Sequence, residues 1–257
     1  MVRGIYLFLG AAQKGIKALF MCLGMFTALP VLYRPWDEAL RPLMIACLPL
    51  AGLILGGLWL AAGAILRALS VAPALAAAAL VILPIFLTGG IHLDGYMDTA
   101  DAVLSWRPLE KRLEILKDPH TGSFSVIALS CLLLAGYGAT LSILSDGRGL
   151  LPLLFIPAVS RACSAFCVSR LKPLAHSEYA GRTDNAGAVS GVLFAAVCAL
   201  FSVFAGWHGV LSCGAVAAGY ALTMRQAHKI MGGFSGDLAG CALSVGEVCG
   251  LIAMAIV

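Results

Sequence analysis

Uncharged, apolar stretches recur along this chain, and they limit its fold more than any other feature of the sequence. A helix rises 1.5 Å per residue, so roughly 20 apolar residues are needed to cross the hydrocarbon core of a bilayer. Stretches of about this length lie near 43–66, 72–92, 122–144, 149–169, 186–206, 209–224 and 238–257. The sequence therefore predicts an all-α, polytopic transmembrane helix bundle with about seven spans, formed by residues 1–257 as a single domain.

The composition excludes several other classes of protein. Hydrophobic residues make up 61% of the chain and charged residues 12%, whereas soluble domains carry about 45–50% and about 25%. Too little charge remains for a soluble globular domain, a disordered chain, a coiled coil or a nucleic-acid-binding protein. The nine cysteines are scattered singly through apolar stretches without CxxC spacing, which predicts small packed side chains and no zinc site.

The distribution of charge predicts how the chain lies in the membrane. Most of the 17 Lys and Arg residues fall on one side if the first apolar stretch, 15–33, does not cross, and such residues favour the cytoplasmic side. We therefore expect 15–33 to form an interfacial or re-entrant helix and the N-terminus to be cytoplasmic. Most of the 13 acidic residues share that side, so the chemistry is expected at the cytoplasmic face.

The most informative segment follows the second apolar stretch, which ends at Gly89-Gly90. His92, Asp94, Asp98 and Asp101 come next, and spacings of four and three place the aspartates on one helix face. Carboxylates that close repel one another unless a cation lies among them. Oxygen ligands at a membrane surface suit Mg²⁺ or Mn²⁺, and Mg²⁺ commonly shares its shell with substrate phosphates. The alternative is a solvated acidic helix end.

The residues near 107–118 predict an amphipathic helix lying on the membrane, because leucines recur at spacings of four and three among charged residues. Asp118 ends this helix before Pro119. Lys117 could face an anionic substrate or extend into solvent, and the sequence leaves both open.

Two further sites carry charge inside or beside apolar stretches, where ionisable residues are costly. Arg161 and Glu247 lie within predicted spans. They could be functional groups, or they could pair with each other in an internal ion pair. A turn before Asp237 could bind phosphate through its backbone N–H groups, although Asp237 could also be a simple N-cap. The glycines of this turn are Gly232, Gly233 and Gly236.

The strings GGIHLDGYMDTADAVLS, LEILKDPHTGSFS and KIMGGFSGDLAGCALSVGE, with Ser160-Arg161 between them, resemble the cobalamin synthase family, the adenosylcobinamide-GDP ribazoletransferases. The resemblance implies a magnesium-dependent enzyme of the prokaryotic cytoplasmic (inner) membrane. Its substrates would be adenosylcobinamide-GDP and α-ribazole or its 5′-phosphate, and GMP would be released. Whether the protein forms a homo-oligomer is left open. The sequence departs from the family at Ser244, where an acidic residue is common, and at Ser125, where glycine is common.

The resemblance also implies roles for individual residues. The metal ligands would be Asp94, Asp98 and Asp101, with Asp118 and Asp237 as second-rank ligands. Phosphate charge would be neutralised by Arg161 and Lys117, and these basic groups would be held by Glu114 and Glu247. His92 would act as a base or would orient a neighbouring group, and the substrate's phosphates would lie against Gly232, Gly233 and Gly236.

Two other functions remain as alternatives. A CDP-alcohol phosphotransferase also uses spaced aspartates, but Asp94-Gly95 is not followed by the rest of that family's pattern. A cation-coupled transporter would place its carboxylates near the bilayer midplane on broken helices. The aspartates are expected instead in a charged loop after a span, which argues against transport.

Overall fold

The computed structural model describes residues 2–31, 35–174 and 185–256. The loop containing His176, Glu178 and Tyr179, which the sequence leaves open as a substrate lid or a plain connection, lies outside these residues. The helices are α1 (Val2–Phe26), α2 (Arg41–Ala46), α3 (Leu48–Ala68), α4 (Pro73–Thr88), α5 (Ile91–Leu104), α6 (Leu109–Ile115), α7 (Ser123–Ser145), α8 (Pro152–Arg170), α9 (Ala186–Ser202), α10 (Gly206–Met231) and α11 (Gly236–Ile256).

The predicted all-α membrane bundle is confirmed. Five helical stretches are long and apolar enough to cross a membrane, or six if α4 and α5 count together as one bent span. One of the five is the continuous stretch Ala186–Met231, which joins α9 and α10. The two helices fold back on each other at Gly206, where φ is +73°. This turn brings Cys198 of α9 and Cys213 of α10 into one core cluster. The count of seven crossings stays a prediction.

Small residues allow α3 and α8 to pack backbone against backbone. A Cβ at Gly52 would overlap the carbonyl oxygen of Pro157, and a Cβ at Gly56 would overlap that of Leu154. Such close approach is typical of membrane helices with small residues at their interface. It holds α8 in the centre of the bundle, where Arg161 is only 3% exposed.

A backbone hydrogen bond and an ion pair join the N-terminal segment to the rest of the bundle. Beyond the end of α1, the N–H of Ala28 donates to the carbonyl of Leu87, 2.8 Å away, at the inner end of α4. Asp37 Oδ2 lies 2.9 Å from Lys17 Nζ, which joins the segment before α2 to α1. Among the described residues, α1 is not one of the helices that are long and apolar enough to cross a membrane. The interfacial or re-entrant helix expected at 15–33 stays a prediction.

The break between α4 and α5 positions the acidic segment. Gly89 and Gly90 have φ of +64° and +79°, a backbone region that glycine adopts without steric cost, and the two helices meet at 95°. Beyond the break α5 packs against both α7 and α11. The predicted helix face is confirmed, since Asp94, Asp98 and Asp101 all lie on α5. The segment after the span is thus a helix packed against two neighbours rather than an irregular charged loop.

The amphipathic helix is shorter than predicted. It covers Leu109–Ile115 rather than 107–118, because Pro108 precedes it and its end tightens. The N–H groups of Lys117 and Asp118 donate to carbonyls three residues back, at 3.0 Å each. Such i to i+3 bonds commonly close a helix with a 3₁₀ turn.

Candidate active site

The acidic face of α5 meets the beginning of α11 at a glycine. A Cβ at Gly95 would lie 2.7 Å from the Cα of Asp237, so the two backbones touch there. Asp98, on the next turn of α5, is half-buried, and the charges of Asp94, Asp237 and Asp101 all act on it. Three carboxylates of α5 and one of α11 therefore share one electrostatic environment.

We expect Gly95→Ala to disrupt this contact. The added methyl group has no room beside the Asp237 backbone, and overpacking costs about 1–3 kcal/mol of stability. A shift of α11 relative to α5 by about 1 Å would lower turnover by about 100-fold. Thermal unfolding and activity in detergent would measure both effects. The matched control is Gly138→Ala on α7, where nothing lies within 4 Å of the new Cβ; equal losses in both variants would contradict this reading.

Asp101 caps a neighbouring helix. Its Oδ2 accepts a hydrogen bond from the Gly122 N–H at 2.7 Å, and its Oδ1 accepts one from the Ser125 N–H at 3.0 Å. Helix N-termini leave such N–H groups without partners within the helix. The carboxylate of α5 satisfies two of them at the start of α7, and this pins α5 to α7.

Replacing Asp101 should test whether it also binds metal, as the sequence predicts. Asp101→Ala is expected to lower the free energy of unfolding by about 0.5–2 kcal/mol, the usual cost of a lost cap. Asp101→Asn keeps one acceptor oxygen and should recover much of that loss in thermal unfolding. An Asn variant that is stable but needs far more Mg²⁺ for activity would indicate metal ligation in addition to capping.

Hydrogen bonds to Lys172 and Ser235, rather than an N-cap at Asp237, organise the glycine-rich turn before α11. Gly232 ends α10 with φ of +79°, and the Phe234 N–H donates to the Lys172 carbonyl at 2.9 Å. The hydroxyl of Ser235 accepts from the Leu238 N–H at 3.3 Å. Because Ser235 supplies the capping oxygen, the simple N-cap alternative for Asp237 is wrong. Gly233 is buried against Leu174, and Gly236 is the first residue of α11.

A cavity of about 510 Å³ opens beside the acidic face, between α5, α8 and α11. Asp94, Asp237 and Lys117 line it together with His92 and Arg161. The structure thus brings five predicted site residues from three helices and one connection to a single cavity. Gly236 also lines it.

Arg161 and Glu247 form the internal ion pair that the sequence leaves as an alternative. Arg161 Nη1 lies 2.7 Å from Glu247 Oε1, and the Ser160 hydroxyl donates to the same oxygen at 2.8 Å. The two side chains are 3% and 14% exposed. Glu247 therefore holds a basic group in place, as predicted. Nearby, His92 Nε2 is buried and has no hydrogen-bond partner among the described residues.

Two predicted residues lie apart from this group. Asp118 is exposed in the connection after α6, where a hydrogen bond from His120 lowers the pKa of its carboxyl group. It is not among the charges that act on Asp98. Glu114 pairs with Lys111 on the exposed side of α6, so it holds a different basic residue from Arg161 or Lys117.

The donor set fits a hard divalent cation that is completed by substrate. Within the described ranges, no three His, Cys, Asp or Glu side chains are grouped closely enough to hold an ion by themselves. Mg²⁺ is usually bound by one or two carboxylates together with waters and phosphates. Asp94 and Asp237 on the cavity wall, with Asp98 near enough for their charges to act on it, offer oxygen donors of that kind.

The family model for cobalamin-5-phosphate synthase matches residues 18–255. The chain belongs to this family. A relative from Clostridium botulinum (strain Alaska E43 / Type E3), named adenosylcobinamide-GDP ribazoletransferase, is 37% identical over 91% of this chain and 95% of its own. Proteins of the same name from Clostridium perfringens (strain 13 / Type A) and Geobacillus kaustophilus (strain HTA426) are each 32% identical, over 94% and 88% of this chain and 98% and 90% of their own. No solved structure matches the chain.

The structure accommodates both departures from the family pattern. Ser125 is buried, and its hydroxyl donates to the Gly122 carbonyl at 2.7 Å while its N–H binds Asp101. Ser244 Oγ donates to the His92 carbonyl at 3.4 Å. Sequence reasoning missed Ser235 and Gly95. A glycine within a helical pattern usually has a packing reason, and that signal could have identified Gly95.

Proposed function

We propose that this membrane protein is a magnesium-dependent adenosylcobinamide-GDP ribazoletransferase that joins adenosylcobinamide-GDP to α-ribazole or its 5′-phosphate and releases GMP. The observation that carries the proposal is the contact between α5 and α11, which brings Asp94 and Asp237 to the wall of one cavity, with Asp98 near enough for both charges to act on it. Membership of the family and the shared name of the relatives support it.

The reaction is a phosphoryl transfer, in which positioning and charge neutralisation do most of the catalysis. The ribose 3′-oxygen of ribazole forms a bond to the phosphorus attached to cobinamide. The bond from that phosphorus to the bridging oxygen breaks, and GMP leaves with the bridging oxygen. The proton of the attacking hydroxyl is lost, and His92 is the candidate to accept it or to orient the hydroxyl.

Each charged residue has a role in this scheme. Asp94, Asp98 and Asp237 would hold Mg²⁺, or Mn²⁺ in its place, and the cation would neutralise charge on the diphosphate. Lys117 at the rim of the cavity and Arg161 inside it would bind phosphate oxygens. Asp101 keeps α5 in register with α7, so it supports the other carboxylates.

The cytoplasmic face of the inner membrane is the proposed location of the site. GDP is polar and cytosolic, and most basic residues of the chain fall on the side that the charge distribution predicts to be cytoplasmic. The transporter alternative is not favoured. The acidic residues lie near the beginnings of α7 and α11, whereas coupling sites lie near the midplane.

The proposed function is tested by GMP release from detergent-purified protein. The assay contains adenosylcobinamide-GDP, α-ribazole 5′-phosphate and Mg²⁺, with controls that contain EDTA or omit the ribazole. We expect GMP only in the complete mixture. Folded protein that releases no GMP would contradict the proposal, and CDP-alcohol substrates and then cation flux in liposomes would be tested next.

A further inference from the structure

The two substrates bring chemically different heterocycles to the site. Adenosylcobinamide-GDP carries guanine, whose edge has several polar groups and includes N–H donors. α-Ribazole carries dimethylbenzimidazole, which is apolar except for one ring nitrogen that only accepts hydrogen bonds. The size and polarity of the cavity beside Asp94 determine which of these can enter it.

The volume of the cavity limits its occupant to a small molecule. About 510 Å³ falls within the range of roughly 300–1,000 Å³ that encloses drug-sized ligands. A nucleoside is of that size. A corrin macrocycle with its adenosyl group and amide side chains is several times larger, so only a part of the activated corrinoid could enter.

The walls of the cavity match an apolar base. Most of its lining is hydrophobic and comes from several helices, including Phe26 of α1, Leu116 beyond α6, Val168 of α8 and Leu243 of α11. Burying polar groups without partners costs free energy. Guanine would lose hydration on several edge groups against these walls, whereas the two methyl groups of dimethylbenzimidazole gain from burial there.

Few polar groups of the cavity wall are free to pair with a base. Arg161 already binds Glu247, and the Ser160 hydroxyl donates to the same carboxylate oxygen. The hydroxyls of Ser164 and Ser235 are engaged with Ser160 and Asp237. Several edge groups of guanine would therefore stay unpaired in this cavity, which costs free energy.

We propose that this cavity is the binding site of the ribazole base, and that the corrinoid remains outside and presents only its diphosphate to Asp94 and Asp237. The proposal rests on the function proposed above. With the base inside, the ribose lies between the apolar walls and the acidic face, so its hydroxyl groups point toward the carboxylates. The nucleoside then has to bind before the larger substrate covers the opening.

The test measures the binding of each substrate alone, and then each KM with the other substrate saturating. Val168→Phe reduces the cavity and is expected to weaken α-ribazole binding and raise its KM at least tenfold. The Kd and KM of adenosylcobinamide-GDP should change by less than twofold. The matched control, Val197→Phe, lies on α9, where Val197 is 47% exposed and does not line this cavity, and it should change neither value.

A second measurement uses the wild-type protein, so that a folding defect cannot mimic the result. Removing both methyl groups from the base should raise the Kd of the nucleoside about fourfold per methyl, the factor that corresponds to about 0.8 kcal/mol per buried CH₂. A wild-type protein that does not bind α-ribazole, or a Val168→Phe variant that loses affinity for adenosylcobinamide-GDP instead, would overturn the proposal. A protein that binds α-ribazole as expected but releases no GMP would contradict the proposed function alone.

Discussion

Asp94→Asn is expected to lower turnover about a thousandfold while leaving the fold intact. A metal-binding carboxylate contributes several kcal/mol of transition-state charge stabilisation, and about 1.4 kcal/mol corresponds to a factor of ten in rate. The amide has the shape of the carboxylate but not its charge. Because Asp94, Asp101 and Asp237 act together on Asp98, removing one negative charge also relieves repulsion. Asp98→Asn should behave in the same way.

GMP release at increasing Mg²⁺ concentration would measure this loss, and thermal unfolding in detergent would verify the fold. Asp146→Asn is the control, because Asp146 is an exposed aspartate that pairs with Arg148 in the connection between α7 and α8, away from the acidic face. A variant at Asp94 or Asp98 that retains most of its activity would show that the metal assignment is wrong.

Glu247→Ala should have the largest effect on stability. The change leaves Arg161 charged, 3% exposed and without its carboxylate partner. Removing one member of a buried ion pair typically costs 3–5 kcal/mol. We expect a loss of about that size in the free energy of unfolding, measured by denaturant or thermal unfolding in one detergent.

Two comparisons separate the buried charge from the role of Arg161 in the reaction. The double variant Arg161→Met/Glu247→Leu buries no charge and should recover much of the stability, yet it should remain inactive if Arg161 binds phosphate. Asp146→Ala breaks a more exposed pair and should cost less than about 1 kcal/mol. Similar losses for Glu247→Ala and Asp146→Ala would mean that the inner end of the cavity is well hydrated.

The apolar stretches were sufficient to predict the bundle, because hydrocarbon requires long uncharged helices. They were not sufficient to place 91–104. That segment contains three aspartates, and its helix is stabilised by α7 and α11, which are distant in sequence. The length of α6 depended in the same way on local detail, namely Pro108 before it and the 3₁₀ turn after it.

The spacing of Asp94, Asp98 and Asp101 correctly indicated a shared helix face, since that follows from helical geometry alone. The spacing did not predict that Asp101 would cap α7 while Asp94 would line the cavity. Asp101 turns toward Gly122 and Ser125, and only the position of α7 determines this. The arrival of Asp237 beside Gly95 likewise depends on packing between segments separated by more than half the chain.

The dependence of the acidic face on α11 has a consequence for the synthesis of the protein. Asp94 and Asp98 leave the ribosome early, but the helix that supplies Asp237 and that packs on Gly95 is the last one described. A chain interrupted before α11, or one from which α11 has been cut, carries the aspartates without the surface that completes the cavity. We therefore expect incomplete copies to be inactive until α11 has packed against α5.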